Sequence, residues 1–134
     1  MVDLRDWMKT FFKNRDLFES RIVNFEDVGS DFVVHRSDGD VFVFVRPELS
    51  DVSDVVQKDA AKAGLALLNT KKNVAAVISN WDLLSSKKGL CLFFVNPKTN
   101  DKWLLYPYTH NQITDRSALK LGLESLFSGC PAFE

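Results

Sequence analysis

The chain has 134 residues, 46% of them apolar and 26% charged, with 17 basic side chains against 18 acidic ones. Those values exclude a disordered chain and suit one domain that buries a core without disulfide or metal staples. A net charge of −1 supplies no global attraction to nucleic acid or to an anionic membrane, and leaves only a local basic patch open.

Cys91 stands in an apolar run and Cys130 near the C-terminus. They read as a buried small hydrophobe and a free surface thiol rather than a disulfide. His35 and His110 are far apart, so two Cys and two His assemble no metal site, and no cofactor is expected. The start, Met1-Val2-Asp3-Leu4-Arg5-Asp6, has no basic region leading into an apolar one. No apolar run approaches the roughly 20 residues of a membrane span. The expectation is a cytoplasmic protein with no membrane contact.

In chain order, Asp3 caps a first helix with Asp6 in its first turn. Leu4, Trp7, Met8, Phe11 and Phe12 fall on one face, and Lys13-Asn14-Arg15 ends it. Ser20 to Phe25 reads as a strand. Asp31 to Arg36 and Asp40 to Arg46 form a hairpin about Ser37-Asp38-Gly39. Val41 to Val45 is apolar at every position, as a central strand covered on both faces requires. Pro47 stops it.

Ser50 or Ser53 caps a second helix carrying Val52, Val55, Val56, Ala60 and Ala63, with Gly64 at its end. Leu65 to Leu68 is a short buried strand. After the turn at residues 69–72, Asn73 caps a third helix with Val74, Val77, Ile78, Trp81 and Leu84 on its face. Leu90 to Val95 is a strand. Beyond a polar loop at 96–101, Trp103 to Thr109 returns as a strand that Pro107 confines to an edge or bends. Asp115 or Ser117 caps the last helix, lined by Leu119, Leu123, Leu126 and Phe127 and closed by Gly129 and Pro131. The order α-β-β-β-α-β-α-β-β-α predicts a single α/β domain: a central mixed sheet with helices on both faces.

Over residues 3 to 69 this order resembles the PD-(D/E)XK nuclease superfamily, the restriction-endonuclease-like fold. Ser30-Asp31 matches the Pro-Asp position and Phe44-Val45-Arg46 the acidic-x-Lys triplet. Asp31 would then be the metal-binding carboxylate. Phe44 replaces the second carboxylate and Arg46 the Lys. The resemblance therefore implies a degenerate, inactive member that keeps a binding or structural role.

Several residues compete for function. Asp31 is a nuclease-like metal position or a strand-entry residue that satisfies the Gly29-Ser30 turn. Asp38 and Asp40 are turn residues, and Glu48 lies beyond Pro47. Arg46 ends an apolar strand. It needs an anionic ligand or an acidic side chain, or it leaves the sheet for water. Thr70, Lys71, Lys72 and Asn73 join a buried strand to a helix N-terminus and form an anion-binding candidate, against a solvated Lys pair. Tyr106, Tyr108 and His110, with Lys102 nearby, suit base stacking or a protein partner, against an edge strand with its rings on the core. His110 has no nucleophile partner, so no catalytic residue is assigned. The reading that follows is a non-catalytic binding protein. A metal-dependent nuclease with an unrecognised site and a weak anion or nucleotide module are the alternatives.

Overall fold

A computed structural model describes residues 3–133, so Met1 and Val2, the start of the segment read as leader-free, lie outside the described residues. Helix α1 spans Leu4–Arg15, and the Asp3 carboxylate accepts the N–H of Arg5 at 2.9 Å. Three antiparallel strands follow: β1 (Ile22–Val28), β2 (Asp31–Arg36) and β3 (Val41–Val45). A short helix α2 (Ser53–Gln57) leads to β4 (Ala63–Leu68), which pairs in parallel with β3. Helices α3 (Lys71–Ser79) and α4 (Trp81–Ser85) carry the chain to β5 (Leu90–Asn96), parallel to β4. Strand β6 (Asp101–Leu105) returns antiparallel, followed by α5 (Pro107–Ile113), a 3-10 turn (Arg116–Ala118) and α6 (Leu119–Ser128).

Among the described residues these strands form one mixed sheet in the order β1-β2-β3-β4-β5-β6. Helix α1 covers one face. Its Leu4, Trp7, Met8 and Phe12 pack on Phe32, Val34, Val43, Ala66 and Phe93. The later helices cover the other face, where Val55, Val77, Trp81 and Leu123 meet Phe44, Leu65, Leu92 and Phe94. The predicted mixed sheet with helices on both faces is the observed architecture.

Several boundaries differ from expectation. The second helix ends at Gln57, and Ala63 and Gly64 belong to β4. The physical reason is sheet pairing: Ala63 and Gly64 lie between β3 and β5, and a side chain at Gly64 would meet the Phe93 ring at a tight 3.0 Å. At Gly89 (φ +78°) a side chain would run into the carbonyl oxygen of Ala61. That close approach puts Gly89 O 3.0 Å from the N–H of Ala63. The third helix breaks at Asn80, whose side-chain amide donates to Ala76 O at 2.8 Å. It is capped by Thr70, not Asn73. Trp103 to Thr109 is not one strand: β6 stops at Leu105, and Pro107 opens a helix, a position where its missing N–H costs nothing. Ala118, not Asp115 or Ser117, precedes α6, because the 3-10 turn intervenes. Leu126 is exposed on that helix. Cys130 is buried rather than a surface thiol, because the chain after Gly129 folds back over the sheet's end. No described helix is long and apolar enough to cross a membrane.

Candidate functional site

The ladder between β2 and β3 runs as far as Phe32 opposite Val43. Beyond it Asp31 supplies the next rung with its side chain: Oδ1 accepts the N–H of Val45 at 2.8 Å. The same carboxylate receives the Arg46 guanidinium through both of its terminal nitrogens. Arg46 Nη2 also donates to Asp54 of α2 at 2.6 Å, and Nη1 to Val45 O at 3.0 Å. The cluster is half sunk, with side-chain exposures of 25% for Arg46 and 13% for Asp31. Burial pulls the Arg46 pKa down, but its bonds to Asp31 and Asp54 outweigh that, and the net shift is upward. Arg46 is a permanent cation there and cannot act as a base. Phe44, two residues earlier, is buried in the core beneath α2 to α6.

One turn of chain further, Lys72 pairs with Glu48 at 2.8 Å. That pair is exposed on both sides and contributes little. Thr70 Oγ1 takes the N–H of Asn73 at 3.1 Å. Asn73 itself is fully buried and works as a brace. Its amide donates to Pro47 O at 2.7 Å and Leu68 O at 2.8 Å, and its oxygen accepts the Leu49 N–H at 2.9 Å. The segment after β3 is thereby tied to the end of β4. Lys71 lies elsewhere, on a groove between α3 and α6 shared with Val74, Lys120 and Glu124.

The late aromatic group separates. Tyr106 lies beside Cys91 and Arg15 on the α1 side. Tyr108 sits under the ammonium of Lys88, and His110 meets the Trp81 ring edge-on at 5.7 Å. Asp31 and Arg46 therefore converge, whereas Lys71, Tyr106 and His110 stand on three other parts of the surface. Asp54 was missed from sequence. Its signal was modest: a first-turn carboxylate on the helix after β3, which the structure places on Arg46.

Among the described residues no group of three His, Cys, Asp or Glu side chains is arranged to hold a metal ion. Asp38 pairs with Arg21 and Arg36, and Asp40 with His35, so both are more than turn residues. No family model, curated protein or solved structure matches the chain.

Proposed function

We propose that this chain is a non-catalytic binding protein on a nuclease-like scaffold. The observation that carries the reading is the occupied carboxylate of Asp31. Both oxygens are engaged, by the Arg46 guanidinium and the Val45 N–H. A divalent cation there would have to displace a cation already held at short range, with a buried Phe44 where a second carboxylate is required. The order helix, strand, hairpin, helix, strand over residues 4–68 supports the scaffold part of the reading.

Two measurements test it. Calorimetric titration with magnesium and with manganese is expected to give no stoichiometric micromolar site. Incubation with duplex and branched DNA in either metal is expected to leave the DNA intact. Cleavage that disappears in Asp31→Ala would overturn the proposal in favour of an active nuclease.

A further inference from the structure

Helix α1 leaves an open groove between itself and the β5–β6 end of the sheet, about 530 Å³ in volume, with Trp7, Phe11, Asn14 and Arg15 on one wall and Pro97 and Asn100 at its end. Trp7 stacks on Phe11 with ring centres 5.8 Å apart, and its indole N–H is held by Asn100 at 2.8 Å. Two cations flank the Phe11 ring, Arg15 and Lys102, each 5.3 Å from its centre. Among the described residues neither has a carboxylate within ion-pair distance. Lys102 shares its strand face with Leu104, which packs toward α1. Asp16 is spent on the N–H groups of Arg21 and Ile22. Beyond the groove's lining, on the Arg15 side, Tyr106 keeps 52% of its surface exposed.

We propose that this groove binds single-stranded nucleic acid, with Arg15 and Lys102 on phosphates and a base stacked on Tyr106. Two cations without a carboxylate partner, beside the half-buried Phe11 ring and near the exposed Tyr106 ring, match a ligand with negative charge and unstacked planar faces. A duplex hides those faces. From Trp7 to Arg15 the groove follows about 12 Å of helix and is open along its length, which fits a strand better than one nucleotide. The inference rests on the binding reading above only in that the strand is held and not cut.

The test is fluorescence anisotropy with short labelled oligo-dT and oligo-rU, at several salt concentrations. With two phosphate contacts, the logarithm of the affinity should fall against the logarithm of salt with a slope of about −1.4. Arg15→Gln with Lys102→Gln should abolish binding. Tyr106→Ala should weaken it roughly five- to hundredfold, while Tyr106→Phe keeps it. Circular dichroism and urea midpoints establish that each variant folds. Lys71→Gln with Lys120→Gln, on the other side of the sheet, should change nothing. Absence of binding at low salt, or binding indifferent to the Arg15, Lys102 and Tyr106 variants, overturns the proposal. So does competition by free thymidine monophosphate as strong as by the strand. A gel of the same mixtures with magnesium separates the two readings: cut oligonucleotide refutes the non-catalytic function and leaves the groove standing.

Discussion

Trp103 donates its indole N–H to the side-chain oxygen of Asn69 at 2.8 Å, in the fully buried junction where β4 meets the C-terminal segment. The other end of the Asn69 amide donates to Cys130 O at 3.3 Å and Pro131 O at 3.1 Å. Asn96 at the end of β5 adds bonds to Pro131 O at 3.1 Å and Ala132 O at 3.2 Å. Two asparagines at adjacent strand ends thus hold the tail across the sheet.

Asn69→Ala leaves a buried indole N–H without an acceptor, so urea unfolding should show a loss of about 1–3 kcal/mol. The amide of Phe133, bonded to Asn69 O at 2.8 Å, should exchange faster in that variant. A variant as stable as the parent, with unchanged exchange, refutes the tether.

Arg46→Ala should cost about 1–3 kcal/mol, because it strands the Asp31 carboxylate against the sheet. Asp31→Asn keeps an acceptor for Val45 and removes the charge. The double variant should therefore lose less than the sum of the singles, with a coupling of about 0.5–3 kcal/mol. Strict additivity in a denaturant-unfolding cycle would show that the pair does not interact in solution.

His35 bridges Glu26 of β1 at 2.7 Å and Asp40 at 3.1 Å. The bond to Glu26, then that to Asp40, raises its pKa. A raised folded-state pKa means the folded chain holds the proton more tightly than the unfolded one. The stabilisation is complete below the unfolded pKa of about 6.5, and is lost as pH rises through the folded value. An NMR titration of the ring should give a midpoint above the ordinary histidine value. The stability difference between the parent and His35→Gln should shrink from mildly acidic to alkaline pH. A midpoint at or below the ordinary value refutes it.

Burial pushes the Cys91 thiol up to about 11, and burial also raises Cys130. The two belong to cores on opposite faces of the sheet. Iodoacetamide at neutral pH should leave Cys91 unmodified in the folded protein and label it promptly in denaturant. Mild oxidant should produce no bond between the pair. Rapid native labelling of Cys91 would place its strand at the surface.

The helical stripe of α1, the hairpin about Gly39 and the apolar run Leu90 to Val95 of β5 were legible because periodicity and turn chemistry are local. The second helix was drawn too long because Val56, Ala60 and Ala63 also satisfy a helical spacing. What decides against it is sheet pairing: Ala63 and Gly64 lie beside Phe42 and Val43 of β3 and Leu90 and Cys91 of β5, partners that helical spacing does not reveal. The cluster of Tyr106, Tyr108 and His110 looked like one surface because the residues are neighbours in sequence. Pro107 starts a new helix between them and sends their side chains to different places. At the candidate site Asp31 and Arg46 were both singled out, but their mutual pairing and the third member, Asp54, depend on how β2, β3 and α2 meet.

Every strand of the sheet lies beside its immediate predecessor in the chain. The antiparallel pairs close through short turns, whereas the parallel pairs β3–β4 and β4–β5 close only across residues 46–62 and 69–89, still in the order in which a ribosome would deliver the segments. The α1-side core gains its floor strand by strand, and no early segment waits for a distant partner to complete its ladder. The exception is the segment at 130–133, whose bonds to Asn69 and Asn96 form only once those residues have emerged. A ribosome-bound chain lacking those residues would own its complete sheet and still have the end of β4 uncovered, with the Trp103–Asn69 bond open to water.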